Sequence, residues 1–372
     1  MTIVIFYKVK NALLCISIQY EMYKQSLIAL LLLSSPTLFA QERPAPTTAQ
    51  NNAVLNIGER TFDFTDATRN RPVVTEVWYP TTDTLQKDDK AFSPFVRRYT
   101  VRNGKLPPGP LPLLLLSHGT GGGRLTLQWL VQSLVQSGFI VAAVDHWGNT
   151  YDHKIAIEFL KPWERPLDIS FALTELLKDN ELRTVIDPQR IGAIGFSYGG
   201  YTVLALAGAI ADYPVMIHYY KTIGHKELEL PEFPGLAKYL DDSALLAAMK
   251  QVPPLKDSRI KAFFAISPGT GPGFVKKQQF AAISGPIFIT GSQSDSIAPV
   301  KTNAGNYHRL IPGSGYYEFP GKVGHYVMLD EAVDDLKKSL PTYFSDDPSV
   351  SRHQVHLQVD SLAGIFFKRN LK

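Results

Sequence analysis

Three residues far apart in the chain are of the types that together turn an alcohol into a nucleophile: Ser197, Asp295 and His325. Ser197 is centred in Gly195-Phe-Ser197-Tyr-Gly199, between a short apolar run and a helix-forming stretch. A nucleophilic serine must stand on a tight, strained corner at the end of a strand, and small flanking residues remove the side chains that would collide there. Its hydroxyl is a weak nucleophile near neutral pH and needs a base to take its proton. Of the nine histidines, His325 in Gly324-His325-Tyr follows the last strand-like segment, late enough to serve as that base. The base in turn needs a carboxylate to fix its tautomer. Asp295 lies in the loop after an apolar run, whereas the loop at residues 267–273 holds no acid. Asp145 also ends an apolar run, but it precedes the serine and is assigned to holding loops together.

A tetrahedral oxyanion would need two donors. The backbone N–H of Tyr198, next to the serine, supplies one, and Thr120 in His118-Gly-Thr120-Gly-Gly-Gly supplies the other. His118 is read as structural. His146, Asp152 and His153 invite a metal reading, but their spacing does not place two ligands one helical turn apart, so no metal is expected there.

The elements that position these residues alternate in type. Residues 54–64 and 72–80 show period-two patterning and are predicted as an antiparallel pair at one sheet edge. The continuous apolar run at 111–117 reads as a strand covered on both faces, 139–145 as the next buried strand, and 190–196, 260–266 and 286–290 as further strands, with a last strand at 316–319. Leu127, Leu130, Val131, Leu134 and Val135 recur at helical spacing, as do Ile169, Leu173, Leu176 and Leu177 behind Pro166. The result is an α/β fold with a mostly parallel central sheet flanked by helices. Residues 212–257 break the rhythm with five prolines and several aromatics, and are predicted as a helical cap near the site. Ser351 and Gln354 form a capping-box pattern for a final helix.

The chain has 372 residues, 45% hydrophobic and 19% charged, with a net charge of +4, which suits one large catalytic domain over residues 53–372. No basic, aromatic-interleaved run points to nucleic acid. Residues 1–40 end in a mostly apolar run followed by small residues, the pattern of a signal peptide, with Met22 a possible true start; residues 41–52 read as a flexible linker. The leader holds three lysines and one glutamate, so its removal brings the net charge from +4 to +2. It also holds Cys15, the one cysteine, which leaves the exported chain without disulfides. The apolar run is too short for a span, so no integral membrane segment is expected in the mature protein. These features predict an exported bacterial protein, periplasmic or secreted.

Trp78-Tyr-Pro-Thr, His118-Gly-Thr-Gly-Gly, Val144-Asp-His, Arg165-Pro-x-Asp168, Arg190-Ile-Gly, Gly195-x-Ser-Tyr-Gly-Gly-Tyr and Gly324-His, in that order, resemble the bacterial α/β-hydrolases of the predicted dienelactone hydrolase group. These are relatives of the platelet-activating-factor acetylhydrolases. The resemblance implies an α/β-hydrolase fold, a Ser-Asp-His triad, a small-molecule or lipid-like ester as substrate, and no cofactor. Ser197 stands where dienelactone hydrolases carry a cysteine, so their substrate does not transfer. Phe196 replaces the histidine common before the serine. A lipase, a polyester hydrolase or a peptidase on the same scaffold remains open, as does a non-catalytic binding protein that keeps the fold.

Overall fold

A computed structural model describes residues 55–372; the leader, Cys15 and the linker expected at residues 41–52 lie outside them. The alternation of elements folds into one nine-stranded sheet: β1 (Asn56–Asp66), β2 (Arg71–Thr81), β3 (Val101–Arg102), β4 (Leu111–Ser117), β5 (Ile140–Val144), β6 (Ile186–Phe196), β7 (Ala262–Ile266), β8 (Ile287–Ser292) and β9 (Gly315–Phe319). Their spatial order is β3-β1-β2-β5-β4-β6-β7-β8-β9. From β5 to β9 every neighbouring pair is parallel. β1 pairs antiparallel with β2, and β2 antiparallel with β5.

The antiparallel β1–β2 pair lies at the N-terminal end of the sheet as expected, and β3 adds a two-residue parallel pairing outside β1. Only two residues long, β3 lies within the connection between β2 and β4. A pairing that short carries no periodicity to detect.

The all-apolar strands are explained by what covers them. In β4, Leu113 and Leu115 join the core on one face with Ile169, Leu173 and Leu176 of the helix Glu164–Lys178. Leu114 and Leu116 join the other face, with Leu130, Leu134 and Phe367. Those belong to the helix Gln128–Gln136 and to the final helix Arg352–Asn370. The final helix is capped as its sequence predicts, with Ser351 Oγ accepting the Gln354 N–H. Both faces of the central strands are thus dry, the condition a parallel sheet requires.

Residues 212–257 hold the helices Tyr213–Lys221 and Ser243–Met249, each capped by an aspartate, Asp212 or Asp242, that accepts a backbone N–H. They form a third core of their own, in which Met216, Ile217, Leu236 and Leu245 pack with Phe159 and Trp163 from the loop after β5.

Candidate active site

The turn after β6 has the shape its residues demand. Ser197 adopts φ 56°, ψ −118°, a region unfavourable for a residue with a side chain. The surroundings over-determine that conformation: Ser197 N–H donates to the Ile266 carbonyl at 2.8 Å, and the Ser197 carbonyl accepts the Gly269 N–H at 2.9 Å. A Cβ on Gly195 would lie 2.3 Å from the Gly199 carbonyl oxygen, and one on Gly199 would lie 1.9 Å from that of Ser117. Both contacts are to backbone, so neither position admits a side chain. The helix Tyr198–Ala207 starts directly after the serine.

Around this corner the three predicted side chains meet. His325 Nε2 lies 2.8 Å from Ser197 Oγ, and its Nδ1 lies 2.6 Å from Asp295 Oδ2. Asp295 Oδ1 accepts the N–H groups of Ile297 at 3.0 Å and Ala298 at 2.7 Å, which fixes the carboxylate plane. Phe196, in the place usually held by histidine, packs its ring 4.8 Å from that of His325. All three polar residues are buried. The arrangement can deprotonate the serine hydroxyl and stabilise the imidazolium that results.

Thr120 and Tyr198 line the same cavity as Ser197 and His325. Neither backbone N–H has a protein acceptor among the described residues. Gly119 brings the Thr120 loop close, since a Cβ there would lie 3.4 Å from that of Ser197. The cavity measures 810 Å³. Phe159, Leu160, Met216, Leu230 and Leu240 give it an apolar lining, and part of that lining comes from the 212–257 segment. Phe92 and Tyr151, both largely exposed, stand at its rim.

Beneath the Thr120 loop lies a polar cluster whose role the sequence alone does not reveal. His146 bonds Asp168 Oδ2 through Nδ1 and Ser117 Oγ through Nε2, each at 2.9 Å. The trio copies the geometry around Ser197, but all three side chains are sealed from solvent and the cavity. Asp168 also takes two bonds from Arg71, at 2.7 and 3.0 Å, and one from Arg69 at 2.8 Å. Arg165 donates to the His118 carbonyl, and its guanidinium lies 4.8 Å over the Tyr198 ring. One buried cation thus braces both segments that carry the expected oxyanion donors. Burial, then the nearby Arg165 charge, pushes His118 and His146 far below the usual histidine range, so both stay neutral. With both ring nitrogens of His146 occupied, the metal reading of His146, Asp152 and His153 has no ligand to offer there. Asp145 holds loops, as expected: it accepts the Arg124 N–H at 2.6 Å and pairs with its guanidinium. The signal for the cluster was present in Arg165-Pro-x-Asp168, but a sequence does not say which loop a buried ion will brace.

Known proteins place the chain by architecture. The model of the prolyl oligopeptidase family matches residues 125–262. No curated protein matches the chain in sequence. Among solved structures it is similar to a ferulic acid esterase from Streptomyces cinnamoneus, at 18% identity and a TM-score of 0.55, over 88% of this chain and 92% of that one. Strand order, elbow and helix placement together give this chain the α/β-hydrolase fold.

Proposed function

We propose that the protein is an exported serine hydrolase that cleaves carboxylic esters. Ser197 Oγ attacks the ester carbonyl while His325 Nε2 takes its proton, and Asp295 holds the imidazolium through Nδ1–H. The backbone N–H groups of Thr120 and Tyr198 receive the oxyanion. Collapse of the tetrahedral intermediate breaks the acyl–oxygen bond, and His325 returns the proton to the leaving alcohol. Water, deprotonated by the same imidazole, then releases the acid and restores Ser197.

The observation that carries this reading is the unbroken chain of contacts, 2.8 Å from serine to histidine and 2.6 Å from histidine to aspartate. The apolar cavity above it favours a small-molecule or lipid-like ester, in keeping with the resemblance to relatives of the acetylhydrolases. The similar ferulic acid esterase supports ester chemistry. The leader supports export to the periplasm or medium.

A second reading, a peptidase, is favoured by the prolyl oligopeptidase match over residues 125–262. Matched esters and amides of one acid, assayed on the purified protein, separate the two. Ester turnover exceeding amide turnover by orders of magnitude is expected. Comparable amide cleavage would replace the esterase reading with the peptidase one.

A further inference from the structure

Arg165, in the helix Glu164–Lys178, is only 1% exposed, and no carboxylate of the polar cluster around it closes an ion pair with it. Arg69 and Arg71 engage Asp168, Arg71 and Lys161 engage Glu158, and Arg69 also engages Asp66 and Glu164. Burial pushes the Arg165 pKa down to about 9, with Arg71 adding to the fall and Tyr198 and Asp168 opposing it. The group therefore stays charged near neutral pH. A buried cation is costly, and apolar side chains of similar volume commonly replace buried ions without loss of stability.

The contacts of Arg165 run instead to the two segments that flank Ser197. Nη2 donates to the His118 carbonyl and lies 3.4 Å from Ser117 Oγ. Nε donates to Thr202 Oγ1 at 3.3 Å, and that hydroxyl donates in turn to the Tyr198 carbonyl at 3.0 Å. The guanidinium stands 4.8 Å from the centre of the Tyr198 ring, whose hydroxyl is tied to the Phe159 carbonyl at 3.1 Å. Both segments converge on the His118 carbonyl, since a Cβ on Gly199 would lie 2.8 Å from its oxygen.

An oxyanion hole works only when both N–H groups aim at one point, and a displacement of ~1 Å can cost about 10²-fold in rate. Thr120 has Gly119 on one side and Gly121, Gly122 and Gly123 on the other. Such a loop has little stiffness of its own and must be held from outside.

We infer that Arg165 is the positioning residue of the oxyanion hole: it sets the spacing of the Thr120 and Tyr198 N–H groups, and so acts on the transition state rather than on substrate binding. This rests on the ester-hydrolase reading of Ser197.

The test measures Arg165→Met, Arg165→Lys and Thr202→Val in ester hydrolysis and in binding of a trifluoromethyl ketone. Ser197 Oγ bonds to the ketone carbon, its proton passes to His325, and the ketone oxygen becomes an anion in the same hole. Arg165→Met should lose about 10²-fold in kcat with KM within about threefold. Its affinity for the ketone should fall by the same factor as kcat/KM. Arg165→Lys keeps a donor for the His118 carbonyl but not the planar face over Tyr198, and should lie between Arg165→Met and the wild type. Thr202→Val, nearly isosteric, should show the same paired loss at about three- to tenfold. A residue that only stabilised the fold would lower the melting temperature and leave kcat and ketone affinity of the folded protein unchanged. The inference is overturned if folded Arg165→Met keeps kcat within about threefold, if its loss lies in KM, or if ketone affinity does not follow kcat/KM. Should neither Arg165 variant fold, unaltered catalysis and ketone binding by Thr202→Val overturn it. A wild type that neither cleaves esters nor binds the ketone would instead remove the reading of Ser197 itself.

Discussion

Replacing Asp295 with asparagine tests the geometry of the site with almost no change in volume. Asp295 Oδ1 accepts two backbone N–H groups, from Ile297 and Ala298, while Oδ2 faces His325 Nδ1. An asparagine must keep its carbonyl oxygen on the two N–H donors, since its NH2 cannot accept from them. The NH2 then points at Nδ1 and donates to it. His325 is thereby forced into the tautomer protonated on Nε2, the nitrogen 2.8 Å from Ser197 Oγ, and can no longer take the serine proton. The loss expected from a wrong tautomer is about 10⁴ in kcat, or ~5.5 kcal/mol of barrier, with KM changed little. Steady-state hydrolysis of a p-nitrophenyl ester measures it, and a melting curve close to that of the wild type establishes that the fold is intact. Asp145→Asn provides the contrast, because its carboxylate serves Arg124 and not His325. A folded Asp295→Asn protein within about tenfold of wild-type kcat would refute the argument.

Two further predictions concern stability. Asp168→Ala removes the acceptor shared by Arg69, Arg71 and His146, leaving the buried Arg71 with Glu158 alone and Arg69 with Asp66 and Glu164. It should cost about 3–5 kcal/mol in chemical denaturation, and a loss below about 1 kcal/mol would contradict the reading of that cluster as a brace. In the final helix, burial raises the Asp360 carboxyl from 3.8 to about 7, and its Oδ1 has no partner among the described residues. The folded protein therefore holds a proton that the unfolded chain has already released. The stability this contributes is complete below the ordinary carboxyl pKa and is lost as pH rises through about 7. Asp360→Asn should thus match the wild type near pH ~4 and exceed it near pH ~8 by on the order of 2 kcal/mol. An equal difference at both pH values would show that Asp360 does not titrate in this way.

Much of the sheet was legible because burial on two faces leaves an unmistakable record. Leu113 to Leu116 could be read as a central strand because no position in it can tolerate a polar side chain. The elbow was equally plain, since the close approach of Gly195 and Gly199 to backbone oxygens forbids other residues. Asp295 could be found by elimination, as the neighbouring loop offers no acid. What escaped depends on contacts rather than on pattern. β3 is two residues long and owes its pairing to β1. The Arg165 and Asp168 network joins residues nearly a hundred positions apart with no periodic trace. Glu232 reads as one acidic residue in a proline-rich excursion until the cap core brings it against Tyr326.

The proposed mechanism requires that Ser197, and no other hydroxyl, be the nucleophile. Intact-mass measurement after exposure to a fluorophosphonate, followed by peptide mapping, tests it most directly. One adduct per chain located on Ser197, absent in a folded Ser197→Ala protein whose esterase activity has fallen by about 10⁵–10⁶, is the predicted result. An adduct mapped elsewhere, or full ester turnover by Ser197→Ala, would contradict it.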